Sequence, residues 1–220
     1  MQYLQSTLWM TFIVALTALF LLSRTVKKSK ARRDLRRAVA RDWTIHEFLN
    51  SREKRRNLRG LILLQEQTVV SLTNRYTGRF DAAVVHRNVD SAVLDVVLER
   101  KFPASHIPEC ARSEDIFQAG LYALAMKERG FRCDATRLAV VYCLQETAEA
   151  CLNQNARRSC WDCSRGRFFE REFKPNLVLK QIRRLNEVWY GKRKPRKAST
   201  PERCRPCPHG KSGRCNYAVA

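Results

Sequence analysis

An aspartate, a glutamate and a lysine stand at the ends of two apolar runs, and together they have the chemistry of a reaction centre. Asp81 opens the run 82–85, and Glu99 and Lys101 close the run 92–98. Side chains alternate along a strand, so Glu99 and Lys101 project to the same face. If the two runs pair as neighbouring strands, the two carboxylates and the ammonium converge. Carboxylates bind Mg²⁺ or Mn²⁺, and a lysine beside such an ion stabilises negative charge on a phosphodiester.

Order and spacing strengthen this prediction, because each pair of residues alone is common at exposed strand ends and turns. Seventeen residues separate Asp81 from Glu99, which is enough for a strand, a turn and a second strand. The next segment, 113–129, is predicted to be a helix. Gln118 and Tyr122 stand four residues apart and therefore share one face of that helix. They are either a surface amide and a core aromatic, or a pair placed over the reaction centre.

Three short motifs in this order resemble the RecB-like branch of the PD-(D/E)XK nuclease superfamily, and within it the CRISPR-associated adaptation exonucleases: Gly78-x-x-Asp81, Glu99-x-Lys101 and Gln118-x-x-x-Tyr122. The resemblance extends over residues 43–215. It implies a restriction-endonuclease-like mixed sheet flanked by helices, a DNA substrate and divalent metal. The roles it implies are two metal ligands (Asp81 and Glu99), a catalytic lysine (Lys101) and a branch-specific helix pair (Gln118 and Tyr122).

A histidine upstream of the aspartate also belongs to the family pattern, where an acidic residue often follows it. His46 precedes Glu47 at such a distance. The resemblance therefore makes His46 a candidate third metal ligand. The alternative is a histidine on the surface of a helix in a basic stretch.

Three cysteines near the C-terminus form a second motif. Cys204-x-x-Cys207 can chelate one centre, and the glycine-containing loop that follows can bring Cys215 to it. In the resembled nucleases, three such cysteines join one that precedes the histidine and hold a four-iron cluster. Here no cysteine precedes Cys110, so the N-terminal ligand is missing.

Three explanations of the missing ligand remain open. In the first, Cys160, Cys163 or His209 completes an iron–sulfur site. In the second, Cys160 and Cys163 join Cys204 and Cys207 in a zinc site, although about forty residues separate the pairs and the usual gap is about 15–20. In the third, the cluster has been lost. We favour a metal, with a 4Fe–4S cluster ahead of zinc on the resemblance alone. The remaining thiols are interpreted as ordinary ones: Cys110, Cys133, Cys143 and Cys151.

The N-terminal segment predicts a membrane anchor. No charged residue occurs in 4–22, and these nineteen residues are long enough to cross a hydrocarbon core of about 30 Å. A signal peptide is the alternative, but here the basic residues follow the apolar run instead of preceding it. The positive-inside rule then predicts a single-pass protein with its soluble domain in the cytoplasm. Such a reducing compartment favours thiolate ligands over disulfides.

The formal net charge of +21 is concentrated in two flanks. Residues 24–59 hold fourteen basic and four acidic side chains, and residues 192–214 hold nine basic and one acidic, so the flanks carry +18. The first flank can bind anionic lipid, bind DNA phosphates or act as a solvated linker. The second adjoins the cysteine motif and would extend a DNA track. No glycine-rich phosphate loop is present, which excludes an ATPase or helicase on this chain.

The predicted organisation is an α/β fold between an N-terminal membrane anchor and a C-terminal cysteine-rich module. Its parts are an anchor over 1–23, a basic juxtamembrane segment over 24–42, a nuclease-like domain over 43–191 and a cysteine-rich metal module over 192–220. Helices are predicted over 32–56, 113–129 and 175–189. Strands are predicted over 61–64, 68–70, 79–85, 92–101 and 137–144, with an edge strand over 168–173. They form a mixed sheet with one crossover.

Two functions are expected from this pattern. The first is a membrane-tethered, metal-dependent DNA nuclease that acts at single-stranded ends. The alternative is a non-catalytic, membrane-bound DNA-binding or scaffold protein on a degenerate nuclease fold, which the missing cysteine favours.

Overall fold

A computed structural model describes residues 29–51, 60–89, 91–153, 159–194, 204–205 and 207–216. The membrane anchor predicted over 4–22 lies outside these residues. Within the described ranges, no helix has both the length and the apolar character that crossing a membrane requires. The chain divides into two compact units, Met1–Lys174 and Pro175–Ala220.

The first unit contains a six-stranded mixed sheet flanked by helices. Its elements are α1 (Lys30–Arg37), β1 (Val39–Ala40), α2 (Ile45–Asn50), β2 (Ile62–Ser71), β3 (Tyr76–Arg87), β4 (Ala92–Lys101), α3 (Ser113–Glu128), β5 (Arg137–Tyr142), α4 (Gln145–Asn153), a short 3-10 turn (Cys160–Asp162) and β6 (Arg167–Glu172). The described helices of the second unit are α5 (Pro175–Trp189) and α6 (Pro208–Lys211).

The strands lie in the sheet in chain order, from β1 to β6. β1 pairs with β2 and β4 with β5 in parallel, and the other three neighbouring pairs are antiparallel. The parallel β4–β5 pair needs a crossover connection, and α3 supplies it. The predicted mixed α/β sheet, with a crossover between the strands 92–101 and 137–144, is therefore confirmed, whereas the parallel β1–β2 pair was not predicted.

Several predicted elements match the structure closely. β4 covers the predicted strand 92–101, α5 covers the predicted helix 175–189, and β6 is the predicted edge strand. α3 ends one residue before the predicted 129, next to Gly130, whose φ of +96° suits glycine at a helix C-terminus. The predicted segments 61–64 and 68–70 belong to one strand, β2.

The single helix predicted over 32–56 is wrong. Ala38 is extended, and the chain then enters the sheet, where the Val39 amide donates to the Leu61 carbonyl at 2.9 Å. A new helix begins only after Thr44, whose hydroxyl caps Glu47 while the Glu47 carboxylate accepts from the Thr44 amide. The pairing of β1 with β2 is a long-range contact, which a local helical pattern does not reveal.

Helices cover both faces of the sheet. α1 buries Ala31 and Leu35 against a cluster that includes Leu98 of β4. Because side chains alternate along β4, Glu99 and Lys101 face away from α1. α3 covers that other face, and its buried residues include Ala123 and Met126. The side chains of Glu99 and Lys101, both at the C-terminal end of β4, therefore face α3.

Candidate active site

Lys101 is the centre of a hydrogen-bonded group between β4 and α3. Its Nζ lies 2.8 Å from Oε1 of Glu99 and donates to Oε1 of Gln118 at 2.6 Å. Nε2 of Gln118 in turn donates to the Tyr122 hydroxyl at 2.6 Å. The structure thus brings four of the predicted site residues into one continuous network, and the spacing of four along α3 places both helix residues over β4.

Glu99 is the most buried carboxylate of this group, with an exposed fraction of 5%. Burial raises the pKa of Glu99, the charges of Asp81 and Asp115 raise it further, and the ion pair with Lys101 opposes the shift. Its second oxygen, Oε2, is buried and accepts no hydrogen bond within the described part of the chain. A buried anionic oxygen without a donor is costly, so this position is suited to a cation.

The pKa of Lys101 is also raised. Burial alone would lower it, but the hydrogen bond and the charge of Glu99 outweigh burial, and Asp115 adds to the effect. The ammonium therefore stays protonated at neutral pH. Burial raises the pKa of the Tyr122 hydroxyl, so this group remains a neutral donor and acceptor.

Asp81 lies at a break in the regular pairing of β3. β2 pairs with β3 on both sides of this position, but Glu66 and Asp81, which would face each other, fall in a gap of the register. Glu66 has a φ of 52°, in the left-handed region that non-glycine residues seldom adopt. The β3–β4 pairing stops at Ala82 and Leu98. Irregular pairing of this kind changes the direction of a side chain. Here Asp81 has no partner in either the β2–β3 or the β3–β4 register.

The Asp81 carboxylate contacts Arg100 instead of Lys101. Oδ2 accepts from the Arg100 amide, and Oδ1 lies 3.2 Å from the Arg100 guanidinium. The same guanidinium pairs with Glu66, which also contacts Arg79 at 3.2 Å. Burial lowers the pKa of Arg100, but the nearby Asp81 carboxylate outweighs it and the net shift is upward. Asp81 is close enough to Glu99 for its charge to raise the pKa of that carboxyl.

Asp115 and Tyr142 belong to the same site, although neither is among the site residues predicted from the sequence. Oδ1 of Asp115 lies 3.7 Å from Nζ of Lys101, and Oδ2 accepts a hydrogen bond from the Tyr142 hydroxyl. Burial and the Asp115 carboxylate raise the pKa of Tyr142 to about 12. The spacing of three between Asp115 and Gln118 is a signal that both face β4.

The long hairpin of β2 and β3 fixes α3 over the site. The Tyr76 hydroxyl donates to the Leu121 carbonyl at 2.7 Å, and burial raises the pKa of Tyr76 to about 12. The rings of Phe80 and Tyr122 meet edge to face, with centroids 6.4 Å apart. These contacts lock the rotation of α3 and therefore the direction of its polar face.

His46 lies on an exposed part of α2, where its Nε2 is 2.8 Å from Nδ2 of Asn50 one turn along the helix. This exposed position agrees with the alternative stated from the sequence, a histidine on the surface of a helix. Its role as a third metal ligand remains a prediction.

The tail cysteines lie in the second unit. The Cys207 amide donates to the Cys204 carbonyl at 3.1 Å, which forms a turn directly before α6, and Cys215 is partly buried. Over the described ranges, no three His, Cys, Asp or Glu side chains stand close enough to share a single ion. Within the same ranges, no disulfide joins two cysteines.

A groove of about 820 Å³ lies on the α1 side of the sheet and reaches Asp81. Polar and aromatic side chains from several elements line it, among them Asp42, Gln65, Asp81, Arg100 and Trp161. Asp81 therefore lines the groove on the α1 side, whereas Glu99 and Lys101 face α3 on the other side of the sheet. The groove gives the carboxylate a route to solvent on the face that α3 does not cover.

No protein-family model matches this chain, and comparison with curated proteins finds no match either. The site is therefore characterised by its own geometry: two carboxylates of adjacent strands, a raised-pKa lysine, and a helix pair above them.

Proposed function

We propose that this protein is a metal-dependent DNA nuclease that hydrolyses phosphodiester bonds at single-stranded ends, on a restriction-endonuclease-like fold. One observation carries the proposal: Glu99 pairs with Lys101 through one oxygen and keeps a buried second oxygen without a donor. Buried charge of this kind is common at functional sites. The order of the three short motifs along the chain supports the same class.

Asp81 and Glu99 are the residues that would hold Mg²⁺ or Mn²⁺. Their oxygens suit a hard cation, and Mg²⁺ commonly uses only one or two carboxylates, with waters and substrate phosphate as further ligands. Two protein ligands are therefore sufficient, even though the described residues form no larger ligand set. When bound, the ion supplies a hydroxide and polarises the phosphoryl group.

The protein side of the reaction depends on Lys101. Its ammonium is held in place by Glu99 and Gln118 and remains protonated, so it can donate to oxygens that gain negative charge in the transition state. Gln118 and Tyr122 orient that ammonium and present polar groups to the strand. Preorganised donors of this type typically contribute about 10²–10³ in rate.

Basic side chains in both units support a nucleic-acid substrate. α1 exposes Arg33, Arg36 and Arg37, and the strongly basic stretch 192–214 follows in the second unit. Arginines that contact phosphates release counterions, so binding to DNA should weaken as salt rises. The predicted anchor over 4–22 would hold the enzyme at a membrane, with its soluble part in the cytoplasm.

Cleavage of end-labelled single-stranded and duplex oligonucleotides with Mn²⁺ tests the proposal. Asp81→Asn, Glu99→Gln and Lys101→Met should each lower the rate by at least about 10². Asp134→Asn and Lys127→Met are matched controls, because both residues are exposed and lie away from the site. Activity that survives all three site substitutions, or that needs no divalent ion, would contradict the mechanism.

A specific observation favours the second candidate function, a non-catalytic DNA-binding or scaffold protein. Arg100 contacts both oxygens of Asp81, and a guanidinium at this position opposes cation binding. This function predicts salt-sensitive DNA binding that is unchanged by EDTA and by Glu99→Gln. A binding assay run beside the cleavage assay separates the two functions.

A metal at the tail is a separate part of the proposal. Cys204, Cys207 and Cys215 would hold a 4Fe–4S cluster, or alternatively zinc, and the Cys204–Cys207 turn supports a pair of ligands there. The centre needs a fourth ligand beyond these three. Iron, sulfide and zinc content of the Cys204→Ser and Cys207→Ser variants, compared with the unmodified chain, tests it.

A further inference from the structure

The groove on the α1 side of the sheet has the lining of a binding site for a flat, partly apolar group. Its floor consists of small and aliphatic side chains: Ala38, Ala40, Leu63, Ala82 and Leu98. Leu63, Ala82 and Leu98 also belong to the buried core cluster beneath α1, so the floor is fixed in place. The volume of about 820 Å³ is within the range of about 300–1,000 Å³ that is usual for small-molecule sites.

Trp161 forms one wall of the groove. It lies in the middle of the 3-10 turn, is partly buried and packs against the same core cluster. Asp162 holds this turn in place, since its Oδ1 lies 2.6 Å from Nε of Arg36 on α1 and its amide donates to the Ser159 carbonyl at 2.9 Å. An indole that is fixed in this way is a rigid surface on which a planar ring can stack.

Asp42 and Gln65 supply hydrogen-bonding groups to the groove. Both line it, and both are exposed. Within the described ranges, neither side chain has a hydrogen-bond partner of its own. The Asp42 carboxylate accepts hydrogen bonds, and the Gln65 amide both donates and accepts. Every nucleobase carries an N–H donor on its Watson–Crick edge, so these two side chains are suited to any base whose edge is free.

The charges of the groove favour a base inside it and phosphates at its rim. Asp42 and Asp81 give it two carboxylates against the single guanidinium of Arg100, which is already paired with Asp81. A phosphate placed inside would be repelled by this balance, whereas a neutral base would not. Arg37 ends α1 directly before Ala38 and is exposed, so it can bind a phosphate beside the groove.

We propose that the groove receives one unpaired base of the DNA strand, with its ring stacked on Trp161 and its Watson–Crick edge bonded to Asp42 and Gln65. Stacking on an aromatic side chain together with recognition of the free edge is a common way to bind single strands. In a duplex the partner base occupies that edge, so the groove selects an unpaired strand. Asp81 lines the same groove, and the strand that leaves it passes this proposed metal ligand. The ligand class rests on the proposed function, to which the groove adds the choice of a single strand.

Binding of DNA to the full-length chain in EDTA tests the inference without cleavage. Fluorescence anisotropy compares a labelled single-stranded oligonucleotide with an abasic strand of the same length, which keeps every phosphate and has no bases. A duplex of the same sequence is the third probe. The test variants are Trp161→Ala, Trp161→Phe and Asp42→Ala. Trp189→Ala is the matched control, because Trp189 is an exposed tryptophan of α5 in the second unit.

The unmodified chain should bind the strand with bases at least about fivefold more tightly than the abasic strand, the least that one stacked base contributes. Trp161→Ala should lower this preference by at least about fivefold and leave the affinity for the duplex unchanged. Trp161→Phe keeps an aromatic ring and should retain most of the preference. Asp42→Ala should lower it by at least about twofold, for one lost hydrogen bond. Trp189→Ala should not change it.

Three results would each overturn the inference: equal affinity of the unmodified chain for the two strands, a preference that survives Trp161→Ala, or one that Trp189→Ala also removes. Deoxyadenosine monophosphate that binds as tightly as the strand would make a free nucleotide the ligand and would overturn it too. Circular dichroism shows that each variant is folded, and Asp42→Ala, at an exposed residue, gives a second test of the same groove.

The outcome is separable from that of the proposed nuclease. A preference for bases without Mn²⁺-dependent cleavage would contradict the nuclease and support the groove. Mn²⁺-dependent cleavage without the preference would do the reverse.

Discussion

Gly78 of β3 lies directly against the ring of Tyr122 on α3. A Cβ built on Gly78 would stand 2.5 Å from Cε1 of that ring, closer than real side chains approach each other. The Tyr122 ring is buried and already packs against Phe80, so it has little freedom to move aside. The glycine of the Gly78-x-x-Asp81 motif is thus explained by the tyrosine of the Gln118-x-x-x-Tyr122 motif.

Gly78→Ala should displace Tyr122 and disturb the chain of hydrogen bonds to Lys101. We expect a loss of about 1–3 kcal/mol in the free energy of unfolding, the usual cost of overpacking, together with a lower cleavage rate. Urea unfolding measures the first effect. Gly60→Ala is the matched control, because no atom lies within 4 Å of the position that a Cβ on Gly60 would occupy. If Gly78→Ala costs as much in a Tyr122→Ala background, the ring is not the cause.

Tyr142→Phe should remove the hydroxyl that supports Asp115. The change leaves the Asp115 oxygen and the Arg112 amide, now bonded to that hydroxyl, without a partner. Loss of a buried partner costs about 1–3 kcal/mol of stability. Thermal unfolding measures it, and Tyr190→Phe, at an exposed tyrosine, serves as the control. Equal stability of the two variants would show that the Asp115 contact contributes nothing.

Glu99→Gln should change how stability depends on pH. The folded-state pKa of Glu99 lies above its ordinary value of 4.5, so the folded protein holds this proton longer than the unfolded chain as pH rises. The unmodified protein therefore loses stability as pH increases from about 4.5 through the folded-state pKa, and Glu99→Gln lacks this loss. Denaturant titrations at several pH values should show the variant gaining on the parent in that range. The exposed Glu109→Gln is the control, and a difference that is constant with pH would contradict the prediction.

Arg100→Met should strengthen binding of divalent cations at Asp81. The substitution removes a positive charge that lies 3.2 Å from the Asp81 carboxylate. We expect Mn²⁺ affinity to rise by about fivefold, equivalent to roughly 1 kcal/mol for a partly exposed ion pair. Paramagnetic resonance of free Mn²⁺ measures the change. Arg79→Met provides a control, because Arg79 pairs with Glu66 and not with Asp81. Weaker Mn²⁺ binding in Arg100→Met would mean that the guanidinium supports the ion.

Much of the sheet and half of the site can be predicted from local patterns. β4 is an apolar run that ends in charged residues, so its bounds follow from the sequence, and the strand period of two gives Glu99 and Lys101 a shared face. The spacing of Gln118 and Tyr122 likewise fixes their common face on α3. Such predictions succeed because the interactions concerned are set within one element.

What the sequence does not reveal depends on contacts between distant elements. Val39 enters the sheet through a partner more than twenty residues away, which local helical patterning masks. The Arg100 side chain lies on the face of β4 opposite Lys101. It contacts Asp81 where the register of the β2–β3 pair is interrupted near Glu66. The pattern around Tyr142 is typical of a core aromatic, and its hydroxyl gains a role only once β5 lies beside β4.

The turn between β3 and β4 divides the two acidic groups of the site. Asn88 and Ser91 close this turn through a backbone hydrogen bond of 2.9 Å, with Asp81 before it and Glu99 after it. Cutting the chain at the turn would leave each fragment with only one of the two carboxylates that the proposed metal site needs. Under the proposed nuclease function, complementation between the two fragments would restore cleavage only when the hairpin reassembles, which would make the protein a candidate for a split reporter.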